Sequence, residues 1–304
     1  IFKLVRFIKE NKVDIVHTSI RLADWYGRVS AKLAGVPLIF STIHNTDYWR
    51  RERRYFLYSM IDRLTMTFNT HIIALSNGIK KFLVRWQRVN PDKITVIPYG
   101  TDVKRYIHSR PFRKPKDLPV LESDVPTIGV TARLAEQKGL HILLQAARYI
   151  LETGRGVQLL IVGDGPLRGD LEKLAKKLEI DQHVIFTGFR SDIPTILPLL
   201  DVFVMSSIWE GLGLSAIEAM LAGKPVVASN VDGLSEVVLD QETGILVPPG
   251  EPKVLADAIC TLLDSPEKRR EMGEKGRQRA ITHFTIDRMV RDYEEFYDSH
   301  TGVR

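Results

Sequence analysis

A chain of 304 residues, 44% hydrophobic and 26% charged, has the profile of a soluble globular protein and the length for two domains. Its single cysteine, Cys260, excludes an internal disulfide and fits a reducing compartment, and no uninterrupted apolar run reaches the ~18 residues of a spanning helix. The net charge of +6 divides unevenly: residues 1–120 hold 23 Lys and Arg against 9 Asp and Glu, a balance of +14, and residues 121–304 hold 20 against 28, a balance of −8.

The opening "IFKLVRFIKENKVDIVHTS" lacks the order of charge, apolar core and cleavage site that marks a signal peptide. Ile1, Leu4, Val5 and Ile8 instead recur at helical spacing. Short β-branched runs come next: "DIVHT", "PLIFST", "HIIALS" and "ITVIP". After a break they resume as "TIGVT", "VQLLIV", "HVIFTG", "VFVMS", "KPVVAS" and "TGILV". They alternate little, so both faces of each strand are expected to be buried. Amphipathic helices lie between them, as at Leu140–Leu151, Leu167–Leu178 and Val254–Leu263, and "TIDRMVRDYEEFYDSH" reads as one last helix. Strand and helix in alternation predict parallel, doubly wound α/β sheets.

The series breaks at "HSRPFRKPKDLPVLESDVP" (His108–Pro126), which carries four prolines and no period, and the charge changes sign there. The expected division is therefore a first domain over 1–110, a linker over 111–126, a second domain over 127–283 and a terminal helix over 284–304. A doubly wound domain ordinarily starts with a strand and a glycine-rich turn. This chain starts with a helix and not with Met, so the N-terminal domain is expected to be incomplete.

"GLGLSA" matches the dinucleotide fingerprint G-x-G-x-x-G/A between a strand and a helix, with Asp232 at the distance of a ribose acid. Against an NAD-binding oxidoreductase stand the five residues from Ser206 to Glu210 ahead of the first glycine, and Glu210 itself beside any phosphate. "VGDGPLRG" has Arg168 where a third glycine belongs. Glu210 and Glu218 are eight residues apart, two helical turns plus about 80°. They could each accept from hydroxyl groups while the amides of Gly211, Leu212, Gly213 and Leu214 take a phosphate between them, the order of groups in a nucleotide sugar. A capping Glu and an ordinary solvated helix Glu fit that spacing equally well. Arg133 and Lys138, in "GVTARLAEQKGL", follow the first strand of the second domain, where two cations can neutralise a diphosphate leaving group.

In this order the motifs resemble the family 4 retaining glycosyltransferases (group 1) of the GT-B fold, two Rossmann-like domains facing across a cleft. The resemblance runs through "IGVTARLAEQKGL", "LLIVGDGPLRGDLEKLAKKL", "VIFTGF", "WEGLGLSAIEAMLAGKPVVAS" and "GILVPPG", with "VIPYGTD" closing the first domain. It implies that Glu210 meets donor-sugar hydroxyls, that Glu218 holds the ribose, and that Arg133 and Lys138 hold the diphosphate. It also implies donor contacts at Gly163, with Phe189 and Arg190 near the base, and a place for His44 near the reaction centre. The implied reaction is a metal-independent transfer from a nucleotide diphosphate sugar to a saccharide or lipid-linked acceptor, in polysaccharide or glycolipid synthesis. A nucleotide-sugar epimerase on the same fold and a non-catalytic sugar-nucleotide binding protein remain alternatives.

No Asp-x-Asp pair and no His/Cys cluster suggests a metal site, so no cofactor is expected. Arg50, Arg51, Arg53, Arg54, Lys80, Lys81 and Arg85 stand among aromatic residues, a composition suited to an anionic membrane surface. No nucleic-acid recognition motif accompanies them. The expected location is the cytoplasm, with a peripheral hold on the inner face of the membrane.

Overall fold

The computed structural model describes residues 1–45, 53–107 and 124–302. Among these residues ten strands form two sheets, and each strand coincides with one of the β-branched runs. The first sheet contains β1 (Ile15–Ser19), β2 (Leu38–Ile43), β3 (His71–Ala74) and β4 (Ile94–Val96), in that spatial order and all parallel. The second contains β5 (Thr127–Thr131), β6 (Gln158–Val162), β7 (Val184–Gly188), β8 (Val202–Met205), β9 (Val226–Ser229) and β10 (Gly244–Val247). Its spatial order is β10-β9-β8-β5-β6-β7, again parallel throughout. Every residue of β5, β6, β8 and β9 is buried, as sheets with helices on both faces require.

The chain divides into two compact units, one of Ile1–Tyr99 with Met289–Arg304, the other of Gly100–Arg288. The terminal helix Ile286–Thr301 thus belongs, from Met289 on, with the first sheet. The linker expected over 111–126 falls outside the described residues up to 123.

In the first unit, Phe296 and Tyr297 of that helix pack on Phe40 of β2 beside Ile73 and Ile97. His17 of β1 joins them. Its Nε2 lies 2.8 Å from Thr42 Oγ1 and its Nδ1 bonds the Tyr297 hydroxyl, so this histidine, in the middle of β1, is a packing residue. On the other face, Arg28 is fully buried. It donates to Asp62 Oδ1 at 2.7 Å and Ser41 Oγ at 2.8 Å, with Asp24 3.7 Å away. Trp25 donates to the same Asp62 oxygen, so one carboxylate ties the helix Arg21–Ala34 to the helix Arg53–Met66. Removing either member would leave a buried charge without its partner.

The second unit has one continuous core, in which the helices Leu140–Glu152 and Pro252–Leu263 pack together on the sheet. Its two ends are pinned to each other. The Thr101 amide donates to the Phe284 carbonyl at 2.8 Å, and a β-carbon at Gly100 would stand 2.2 Å from the Thr285 carbonyl oxygen.

Burial holds His17, His44 and His71 below their usual 6.5, with His44 adding to the shift at His17 and with His300 and Lys93 adding to it at His71. A base whose proton is disfavoured in the folded state makes the unfolded chain the better proton binder. The contribution of these three groups to stability is therefore fully present above pH 6.5 and is lost as pH falls from there through the lowered folded-state values. Scanning calorimetry is expected to show the melting temperature falling between about pH 7.5 and about pH 5.5; a flat profile would contradict the assignment of neutral buried imidazoles.

Candidate active site

The order of the second sheet creates one topological switch. From β5 the chain winds outward through β6 to β7, then returns past β5 and winds the other way through β8, β9 and β10. In open α/β sheets, ligands bind beyond the carboxyl ends of the strands at such a point. Two loops leave that edge side by side, Ala132–Gly139 after β5 and Ser206–Gly213 after β8.

They are tied together by hydrogen bonds to backbone carbonyls. The Ile208 amide donates to the Gln137 carbonyl at 2.8 Å, Ser206 Oγ to the Lys138 carbonyl at 3.0 Å, and Gln137 Nε2 to the Trp209 carbonyl at 3.1 Å. Gly139 has a φ of +58°, and a β-carbon there would sit 2.1 Å from the Ser206 carbonyl oxygen. Only glycine meets both conditions. The consequence is chemical: Lys138 Nζ stands 2.5 Å from Glu210 Oε2. Glu210 is 8% exposed, and its carboxylate also accepts from the Gly211 amide at 3.3 Å and from Ser207 Oγ at 3.4 Å.

Gly213, at a φ of +92°, starts the helix Leu214–Leu221, whose leading amides precede its hydrogen-bond ladder. Glu210 precedes this positive end, in keeping with its sequence position. Glu218, however, is the fifth residue of the helix, about one turn in and not two, because Glu210–Gly213 is not helical. The rotation expected from eight-residue spacing therefore does not apply. Glu218 is half-buried and takes a hydrogen bond from Tyr106, on the short helix Lys104–Ile107. Burial pushes Glu218 up from the usual carboxylate range, while Tyr106 and then Arg105 pull it back.

The remaining residues fall on the same edge. Arg133 is exposed and has no ion-pair partner among the described residues. Gly163, just beyond β6, has a φ of +134°, and a β-carbon there would meet the Ala132 carbonyl oxygen at 1.9 Å. Its glycine is thus needed to seat the Arg133 loop. Beyond β7, Phe189 is 81% exposed. Arg190 turns back onto its own loop, donating to Asp192 Oδ1 at 2.8 Å and Oδ2 at 2.6 Å. Leu212 is buried and Leu214 exposed. Sequence reasoning missed Gln137, which lies between the two singled-out cations, and Tyr106, for which no spacing gave a signal.

His44 belongs to the first unit, just past β2 at that sheet's carboxyl edge. Its Nδ1 lies 2.7 Å from the Tyr99 hydroxyl and its Nε2 bonds Ser19 Oγ, at the end of β1. Burial lowers its pKa, so it is held as a neutral imidazole between two hydroxyls.

Similarity to known proteins agrees with this geometry. Residues 114–279 match the profile of the glycosyl transferases group 1, and residues 1–105 match that of Glycosyltransferase Family 4. Over 304 residues the chain is 29% identical to the UDP-Gal:alpha-D-GlcNAc-diphosphoundecaprenol alpha-1,3-galactosyltransferase of Escherichia coli, covering 98% of this chain and 78% of that one. It is 33% identical over 256 residues to the 2-deoxystreptamine glucosyltransferase of Streptomyces kanamyceticus, covering 79% and 65%. Among solved structures it resembles Anabaena HepE in complex with UDP, with a TM-score of 0.84 at 24% identity over 98% of this chain and 81% of that one. Sucrose-phosphate synthase of Thermosynechococcus elongatus gives 0.84 at 25% identity, covering 100% and 77%. None of these relatives is an epimerase or an oxidoreductase. Two parallel α/β units, a switch-point edge built from the expected motifs and a family profile over more than half its length establish the chain as a GT-B glycosyltransferase of the group 1 family.

Proposed function

We propose that this enzyme transfers a sugar from a nucleotide diphosphate sugar to a saccharide or lipid-linked acceptor with retention of configuration and without a metal. The Lys138–Glu210 pair at the mouth of the Leu214–Leu221 helix carries this reading. The diphosphate lies against the helix amides, Lys138 and Arg133, which supply the positive field that a leaving pyrophosphoryl group needs. Lys138 keeps donors for phosphate oxygens after one goes to Glu210. Glu210 accepts from the sugar hydroxyls, and Glu218 from the ribose. As the glycosidic bond to the diphosphate breaks, positive charge develops on the sugar. The departing phosphate oxygen takes the acceptor hydroxyl's proton, and that hydroxyl attacks on the same face. Arg190 reaches the base only through its loop, since Asp192 holds its guanidinium.

The lipid-linked acceptor draws on the E. coli relative, whose name specifies a diphosphoundecaprenol-linked sugar. No helix among the described residues is long and apolar enough to cross a membrane. A surface hold is supported by Trp86, 63% exposed with Arg85 beside its ring, and by exposed Met60 and Leu64 near Arg63. Lys81 and Arg88 are exposed on the same helix region. Lys80, by contrast, donates to the Ile94 carbonyl at 2.9 Å and drops out of the expected surface. Arg50, Arg51 and the side chains of Arg53 and Arg54 lie outside the described residues. The enzyme then works in the cytoplasm, on the inner face of the membrane.

A panel of nucleotide sugars, read by thermal stabilisation and by release of nucleoside diphosphate with acceptor, tests the donor. Glu210→Gln is expected to lower turnover roughly a hundredfold while nucleoside diphosphate affinity stays within about threefold; equal losses in both would refute the sugar-side role. Activity should persist in EDTA, whereas complete loss restored by Mg²⁺ or Mn²⁺ would show that the cations of the protein do not suffice. In vesicle sedimentation, binding should require anionic lipid and decline with salt as the screening length shortens to ~3 Å at 1 M. It should weaken when Arg63, Arg85 and Trp86 are replaced by Ser. Equal binding to neutral vesicles would end the membrane reading.

A further inference from the structure

Gln137 is the one residue of the first loop whose side chain reaches both the backbone and the carboxylate of the second among the hydrogen bonds described. It is half-buried on the short turn Glu136–Lys138, next to Lys138. Its side-chain amide carries two hydrogens. One goes to the Trp209 carbonyl at 3.1 Å, and the other faces Glu210 Oε1 at 3.5 Å. Lys138 Nζ holds the second oxygen, Oε2, at 2.5 Å. Two consecutive side chains thus take one carboxylate by different oxygens. We propose that Gln137 is a positioning residue for the donor sugar, aiming the Glu210 carboxylate at the sugar hydroxyls so that Lys138 does not have to fix it alone. This rests on Glu210 as the ligand of the sugar.

Chemistry fixes which way the amide points. A backbone carbonyl and an ionised carboxylate only accept, so the nitrogen end of Gln137 can serve both and the oxygen end neither. The shorter bond holds the peptide group that joins Trp209 to Glu210, and so the root of the Glu210 side chain. The longer one steadies its tip. The Gln137 backbone is anchored as well, because its carbonyl accepts from the Ile208 amide at 2.8 Å. Lys138 supplies charge but little direction, being a point charge with rotatable donors on a flexible stem. A planar amide pinned to a carbonyl supplies direction without a second charge. The other donors to the carboxylate, the Gly211 amide at 3.3 Å and Ser207 Oγ at 3.4 Å, are about as long as the Gln137 contact. Contacts of that length leave Glu210 able to take a sugar hydroxyl at the usual ~2.7 Å.

The test uses the whole chain with UDP-glucose, UDP-galactose, UDP-N-acetylglucosamine and GDP-mannose as donors, read by release of nucleoside diphosphate, and with UDP and GDP alone in titration calorimetry. Gln137→Met keeps the length of the side chain and removes both donors. It should lower kcat roughly tenfold and leave nucleoside diphosphate affinity within about threefold. Gln137→Glu keeps the shape but sets a second carboxylate against Glu210, and should lower kcat further with the same sparing of affinity. Both should bring the ratio of kcat/KM between the best donor and the next closer to one, as Glu210→Gln should, because a misaimed carboxylate tells sugars apart less well. Equal losses in kcat and in nucleoside diphosphate affinity would mark a residue that only holds the loops together, since Lys138 would be displaced with it, and would overturn the proposal. If Glu210→Gln behaves as expected while Gln137→Met keeps the wild-type kcat and sugar ratio, the Gln137 proposal alone is overturned. If Glu210→Gln changes neither quantity, or the wild type releases nucleoside diphosphate from none of the donors, the sugar-side reading of Glu210 falls and the Gln137 proposal with it.

Discussion

A β-carbon at Gly139 would stand 2.1 Å from the Ser206 carbonyl oxygen, and the chemistry of the second unit depends on that close approach. Without it, the turn after β5 and the loop after β8 would part by the width of a side chain. Lys138 would then lose its place beside Glu210. Gly163 does the same for the neighbouring loop, admitting the Ala132 carbonyl where a side chain would exclude it. The glycines of this edge thus divide into two kinds. Gly211 and Gly213 frame the helix end that would meet a ligand, whereas Gly139 and Gly163 let backbone meet backbone so that charged side chains are delivered correctly.

Parallel sheets made the strands easy to read. When both faces are covered, each strand becomes a short β-branched run, and all ten such runs are strands. The helix Pro266–His283 was harder, because its buried positions are Met272, Gly273, Gly276 and Ala280 among many charges. Small residues that allow close packing leave no apolar period. At the site, residue identity was legible but geometry was not. The loop from Glu210 to Gly213 breaks the helical count, so spacing gave the wrong separation for Glu218. Tyr106 stayed hidden because its partner is more than a hundred residues away, and only the fold joins them.

The charge asymmetry was legible as a sum and misleading in part. Arg28 contributes to the basic excess of the first part, yet it is fully buried and already engaged by Asp62 and Ser41. Lys80 is committed to a strand carbonyl. Counting charges gives a field at long range. Which of them meets a partner is decided one side chain at a time, by burial and by what each already holds.

The first unit is assembled from two separate stretches, Ile1–Tyr99 and Met289–Arg304, the second from one continuous stretch between them. On a ribosome adding about 5–20 residues per second, the stretch from Gly100 to Arg288 takes roughly ten to forty seconds to emerge. It can close on itself in that time, with Thr101 and Phe284 pinning its ends. The earlier sheet cannot finish. Phe40, Ile73 and Ile97 wait for Phe296, so an apolar face that is dry in the finished enzyme is wet throughout the synthesis of its neighbour. The chain path therefore sets an order of birth in which the unit translated first is the last to mature, and its sheet is the surface a chaperone would meet.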